Sequence, residues 1–499
     1  VTVGERDSNN ILTIKGNDYR VLQPALVMDP NRNRTKVAFD ILGMVAGTAV
    51  LGKPLPAPVE GDSLDGFVAD VTQAQLDQFM NAPRELDPIT NECKATQIVY
   101  ELLNKATTRI VYDLDRFKRL GEPTFAATIA RETHVSDLQP NQKSKLQVSF
   151  SYSDGFGREI QKKIQAEKGK VPQRDGQGKI IVGPDNQPVM SANEQLRWVG
   201  SGWTIFNNKG KPVRKYEPFF SDTHKPDFDA KIGVSPILFY DPLERIVATL
   251  HPNHTYEKII FGPWQQTTWD VNDTVALDPR LDVDIKGHTE GYFKMQPVDW
   301  KTWLQQRAVD PANPPADTQA LPPEKRAAVR TFPHTGTPSV AHFDTLGRTF
   351  LTIADNGKDS NAHPQKYRTR VEFDIEGNQR AMIDAKERAV MRYDYDLLGN
   401  RIHQNSMDAG ERWMLNDVTG KPIRAWDTPP KDSHPGNTFR TEYDELRRPV
   451  RSFVKGSIEN DPGREILYEH VVYGEKHPRA ETLNLRTRVF LQFDGAGIV

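Results

Sequence analysis

Residues 146–152 read LQVSFSY, with Leu146, Val148, Phe150 and Tyr152 at alternate positions and polar residues between them. A period of two marks a strand with one buried face. Short runs of this kind recur along the chain, and several end in an aromatic residue followed by Asp-x-x-Gly. The full pattern stands at Phe39-Asp40…Gly43, Phe343-Asp344…Gly347, Phe373-Asp374…Gly377, Tyr395-Asp396…Gly399 and Phe493-Asp494…Gly497. Asn416-Asp417…Gly420 lacks the aromatic. Tyr112-Asp113, Tyr240-Asp241 and Tyr443-Asp444 have Arg116, Glu244 and Arg447 where the glycine would be. Tyr152-Ser153-Asp154-Gly155-Phe156-Gly157 reads as a copy stretched by one residue.

The chemistry of the unit is that of a tight hairpin turn. An Asp carboxylate accepts hydrogen bonds from backbone N–H groups a little further on. Glycine suits the position that needs a positive φ, as in a type I turn followed by a G1 bulge. Between Asp374 and Asp444 the copies fall 22, 21 and 27 residues apart. A period near 20 holds two strands and two turns, so the chain reads as an array of hairpins. The turn residues expected to be structural are Asp40, Gly43, Asp344, Gly347, Asp374, Gly377, Asp396, Gly399, Asp417, Gly420, Asp494 and Gly497.

Two helical signals interrupt the strands early on. VTQAQLDQFM has Thr72 as N-cap and Gln75 three residues later, a capping box. TNECKATQIVYELLNKA pairs Ile98 with Leu102 and Val99 with Leu103, and predicts a second helix with Cys93 at its start. Residues 169–188 are rich in Gly, Pro and polar side chains and predict an exposed hairpin extension. The segment 291–338 predicts a helix after Pro297 carrying Trp300, Trp303 and Leu304, a proline-rich stretch, and a second helix opening near Pro323. The expected organisation is therefore 1–290, a sheet region with degenerate repeats and helices near 72–105. A helical, Pro-rich insert follows at 291–338, and regular repeats from 339 to 499 that continue past the chain end.

Composition narrows the function. The 499 residues carry 65 Lys and Arg against 67 Asp and Glu, a formal charge of −2, which points to neither nucleic acid nor an anionic membrane. Hydrophobic residues make up 37 %, lean for a solid globule of this length and suited to sheet wetted on at least one face. Cys93 is the one cysteine, so no internal disulfide can form. No apolar run is long enough to span a bilayer, and residues 1–10 lack the apolar core of a signal peptide.

Candidate chemistry is sparse. His251-x-x-His254 has two possible metal ligands, but Pro252 places them in a turn with no further ligand at a suitable spacing. Asp282-x-Asp284 resembles the start of a calcium loop, with Lys286 at a ligand position and no closing glutamate. Gly176-x-Gly178-Lys179 lacks the strand–loop–helix setting of a phosphate loop. The expectation is no catalytic, cofactor or metal site, and no enzyme.

The turn pattern resembles the Rhs, or YD, repeat, whose consensus is Tyr-Asp-x-x-Gly-Arg; residues 343–348 match it with Phe for Tyr. The stretches at 29–53, 151–163 and 239–273 are similar to the B component of insecticidal Tc toxin complexes and to SpvB-type proteins, and the likeness runs from about Tyr19 to Val499. The resemblance implies a mainly β fold: a repeat strip spiralling into a hollow shell, with a few short helical inserts. It implies a structural function, enclosing a cytotoxic polypeptide together with a C-type component and delivering it through a pore-forming A component. The propeller that would dock the A component is not in this sequence. The resemblance implies a protein made in the bacterial cytoplasm and released outside the cell. The family's autoproteolytic aspartates have no counterpart, since Asp461-Pro462-Gly463 is too short a match. Two alternatives stay open: an Rhs-type cell-surface or glycan-binding module, and a glycan-active enzyme, which needs paired carboxylates.

Overall fold

A computed structural model describes the chain except residues 1–3, 7–11, 15, 55, 56, 318, 429–435 and 457–460. The signal-peptide expectation for residues 1–10 falls largely outside the described residues. The fold is mainly antiparallel β with short helices. It has two compact units, Val1–Ser235 with Glu475–Arg488, and Pro236–Gly474 with Val489–Val499.

The first unit is built on a nine-stranded sheet that runs in strict chain order from Leu26–Met28 to Phe219–Ser221. Each strand pairs antiparallel with the next, so only local connections are needed. The alternation seen in sequence is the packing: Leu146, Val148, Phe150 and Tyr152 are 0–6 % exposed. Helices α1 (Gln73–Asn81) and α2 (Gln97–Leu103) contribute Leu76, Phe79, Ile98, Val99, Leu102 and Leu103 to the same core. Phe150 sits at its centre, stacked 5.4 Å from Phe79 and edge-on 5.8 Å from Trp198. Thr72 and Gln75 close the capping box of α1 on each other's backbone N–H. Helix α2 is shorter than its apolar spacing suggests. Cys93 instead lies in a short strand, Cys93–Ala95, paired with Arg84–Leu86.

This core also takes in charge. Lys163, fully buried on the strand Glu159–Pro172, is held by Asp227, which also accepts from Ser221 and pairs with Arg174. Burial would raise the Asp227 carboxyl, but Lys163, Arg174 and Ser221 outweigh it and leave it lowered. His224 donates to the Met80 carbonyl from Nε2 at 2.9 Å, and its own carbonyl accepts from the Tyr152 hydroxyl. Burial pushes the His224 imidazole down to about 4.

The second unit is a 17-stranded sheet in chain order, from Ile237–Tyr240 to Gly497–Ile498. It does not coincide with the division expected from sequence. One sheet, beginning at Ile237, spans the end of the expected 1–290 region and the regular repeats from 339, and the helical segment inserts between its strands Gln265–Trp269 and Ser339–Phe343. That insert starts earlier than 291, with α4 (Lys286–Phe293), a helix not expected because its only large apolar residues fall in its last turn. Next come α5 (Trp303–Gln306), which starts after Trp300, and α6 (Pro323–Val329). Ile285 and Trp300 close over Phe239, Val247, Leu250 and Tyr256 of the first strands.

Beyond the insert the sheet changes character. From Ser339 to Tyr473 the only large or small apolar strand residues under a tenth exposed, among the described residues, are Ala381 and Ile383. Among the described residues of this stretch no α-helix interrupts the strands. Cross-strand pairs supply what a core would otherwise give. Arg440 bridges Glu442 and Glu465, Trp413 faces Trp426, and His403 stacks on Trp413 at 4.0 Å.

Candidate functional surface

The turns that join these strands carry the residues singled out from sequence. At Asp40, Asp344, Asp374, Asp396 and Asp417 the Asp N–H donates to the carbonyl four residues on at 2.8–3.0 Å. The residue at the glycine position donates back to the Asp carbonyl at 2.9–3.1 Å. One carboxylate oxygen accepts from the N–H four residues on, at 2.8–3.1 Å. Gly43, Gly347, Gly377, Gly399 and Gly420 have φ between +77° and +96°, and a bulge precedes each turn. This is the type I turn with a G1 bulge. Glu244 and Arg447 take the same left-handed position with φ of 65° and 60°.

Three copies differ from their expected form. Asp494 and Gly497 pair directly across a two-residue hairpin corner, Gly495-Ala496, and Gly497 has φ +138°. Tyr112-Asp113 opens no turn. A short helix, α3 (Arg116–Leu120), follows, and buried Asp113 binds Arg119 and Arg116 instead. The copy at Tyr152 is not stretched: Asp154 and Gly157 form the turn with the usual bulge just before it, at Tyr152/Ser153, and Ser153 holds the place of the aromatic.

Other turns of the same geometry went unrecognised because a glycine, the aromatic or both are missing. Asp384 closes onto Arg388 with Glu387 at φ 59°, and Asp359 onto His363 with Ala362 at φ 63°. His251 and His254 are the first and fourth residues of such a turn, and His254 stacks on Trp300 at 4.6 Å. Their shared spacing is therefore turn spacing, not ligand spacing. Asp282 and Asp284 both hold the Lys258 ammonium, and the Tyr256 hydroxyl also donates to Asp282. Asp175 and Gly178 make a further turn, which accounts for the Gly-x-Gly-Lys run. No cluster of three metal-ligating side chains is found among the described residues.

The turns are also joined to one another. Tyr395 donates to the Gln379 carbonyl, Tyr443 to that of Pro422 and Tyr473 to that of Pro449, each the start of the strand after the preceding turn. The residue that follows the glycine reaches the next turn. Arg348 lies 4.8 Å over Phe373 and beside Gly377, Asn378 lies beside Gly399, Asn400 beside Gly420, and Lys421 donates to the Arg447 carbonyl. The aromatic of the motif thus binds sideways to the previous hairpin, and the residue after its glycine binds forwards to the next. The carboxyls of Asp344, Asp374, Asp384, Asp396 and Asp444 are held low. Backbone and side-chain hydrogen bonds from Arg348 lower Asp344, and those from Arg388 bring Asp384 to about 2.

A separate open hollow of about 200 Å³ lies in the first unit, between the turn at Asp40 and the segments around Asp70 and Asp115. Its carboxylates are engaged locally: Asp40 accepts from Met44, Asp70 from Ile41, and Asp113 from Arg119.

No protein-family profile matches the chain. Among curated proteins it is 28 % identical over 175 residues to Toxin subunit YenC2 of Yersinia entomophaga, a stretch covering 33 % of this chain and 18 % of that protein. Among solved structures, TcdB2-TccC3 superposes on the whole chain at 20 % identity with a TM-score of 0.66, over 20 % of its own length. The Photorhabdus luminescens Tc holotoxin pore with the TccC3-D651A mutation does so at 19 % identity and 0.66, over 22 %. The chain thus spans about a fifth of the proteins it matches. It is similar to Tc toxin structures in fold along its whole length, and to a toxin subunit in sequence over a third of it.

Proposed function

We propose that this chain is a wall segment of a Tc-type toxin complex. In this reading an Rhs-type β-strip of B-component character encloses a cytotoxic polypeptide together with a C-type component. The cargo then leaves through a pore-forming A component docked by a part of the toxin other than this chain. The observation that carries the reading is the long sheet from Ser339 onward, whose described strands bury almost no apolar side chain. A globule would need that area for its core. A wall needs strength within the sheet, and the Tyr–carbonyl and Arg–aromatic links between hairpins supply it. The complex works outside the bacterium that makes it, and the chain performs no chemistry of its own.

Coexpression with a C-type component carrying its cargo tests this. The expected result is a stable complex in which the cargo resists added protease until the complex is denatured. Cargo digested as fast as free polypeptide would sink the enclosure. Binding of glycans by the chain alone, without protection of any cargo, would move the reading to a cell-surface module.

A further inference from the structure

The two ends of the long sheet present different turn tips. Five consecutive turns at one end, opened by Asp344, Asp374, Asp396, Asp417 and Asp444, each hold an apolar residue between the Asp and the left-handed position. Leu346, Ile375, Leu397, Leu398, Val418 and Leu446 are 63–99 % exposed. Leu243 and Trp264 extend the row at the same end. At the other end the tips include Ser360-Asn361, Ala385-Lys386 and Met407-Asp408-Ala409, with Met407 41 % exposed. The turns of Asp359 and Asp384 close the same hydrogen bonds, so folding does not require apolar tips. A row of exposed apolar side chains on one rim marks a contact surface.

The spacing narrows the occupant. Successive turns at one end are two strands apart, roughly 9.6 Å, so the rim is a line of apolar knobs with gaps between them. A fitting surface must repeat at that interval. A lipid surface has no such period, and Glu376 and Glu445 at two of the tips disfavour an anionic one.

The rim fits itself. Reversed about the turn of Asp396, the turn of Asp374 meets that of Asp417, and the turn of Asp344 meets that of Asp444. Glu376 then faces the turn of Lys421, and Glu445 the turn of Arg348. Leu397-Leu398, the one tip with two apolar residues among the five, falls at the centre against its own copy. The apolar residue comes first in the tips of both Asp374 and Asp417, and second in those of Asp344 and Asp444. The order of the tips and the apolar centre survive a two-fold reversal, as an isologous contact requires. Six apolar side chains exposing on the order of 100 Å² each, with flanking turn atoms, approach the roughly 800 Å² that each partner gives to a specific interface. We propose that this rim binds a second copy of the chain, antiparallel, with Leu397 and Leu398 on the two-fold axis.

Sedimentation velocity on the full chain across a wide range of concentration tests the contact. The wild type should pass from monomer to dimer. Leu397→Ser with Leu398→Ser should raise the dissociation constant at least about tenfold with the melting temperature unchanged, since both side chains stand in solvent. Glu376→Lys should weaken the dimer, and Lys421→Glu added to it should restore association. A wild type that stays monomeric throughout, or a double-serine variant that associates as well as wild type, overturns the proposal. So does a monomeric chain that co-sediments with phosphatidylserine vesicles, which would assign the rim to lipid.

Discussion

At the level of single residues the turns set the rules. Gly347 and Gly399 have φ of +77° and +78°, and an added Cβ meets no clash at either. Valine there suffers only the backbone cost, about 1–2 kcal/mol for a residue forced into the left-handed region. Gly347→Val and Gly399→Val should each lower the unfolding midpoint in urea by that amount. The reverse change at Glu387, already at φ 59°, should raise it; an unchanged midpoint in both directions would contradict the turn assignment. The carboxylates give a pH signature. Asp384 is lowered to about 2 by Arg388, and Asp344 is lowered by the Arg348 backbone and side chain. A depressed carboxyl contributes stability above its unfolded value near 3.9, and that contribution is lost as pH falls through the folded value. The second unit should therefore lose stability between about pH 4 and 2, and Asp384→Asn should shrink that loss. His224 in the first unit is lowered to about 4 by burial, so its neutral form is favoured on folding. Stability there is full above pH 6.5 and falls by on the order of 3 kcal/mol toward pH 4. His224→Gln should flatten that segment of a melting-temperature profile.

At the level of elements, the two sheets use different devices. The first depends on burial, and its weak point is the ammonium of Lys163 in the core. Asp227→Ala leaves that charge unpaired and should cost about 3–5 kcal/mol, read as a loss of midpoint in urea; a loss below 1 kcal/mol would mean the pair is not buried as described. The second depends on links between hairpins. Tyr443→Phe removes one Tyr–carbonyl bond and should cost about 1 kcal/mol. Legibility in the sequence follows this contrast. The Asp-x-x-Gly turns and the Thr72–Gln75 capping box were readable because each needs only residues a few positions apart. The turns at Asp384 and His251 were not, because a neighbouring hairpin or Trp300 secures a left-handed Glu387 or His254 without glycine. The helix after Asp113 was misread as a turn for the same reason: Arg116 and Arg119 bind Asp113, a contact that spacing alone does not announce. The burial of Lys163 depends on Asp227, 64 residues away.

At the level of the whole molecule, the sheets run in chain order and nearly every pairing is with the next strand. Such a chain can add or lose hairpins without a change of topology, which is the property expected of a repeat wall. The regular motif begins near 339, whereas the sheet that carries it begins at Ile237 with degenerate copies. If this sheet forms part of an enclosure, small-angle X-ray scattering on the chain in complex with a C-type component should give a pair-distance distribution skewed to long distances, with the scattering minima of a hollow particle. A distribution matching a solid globule or an extended string of the same mass would contradict it.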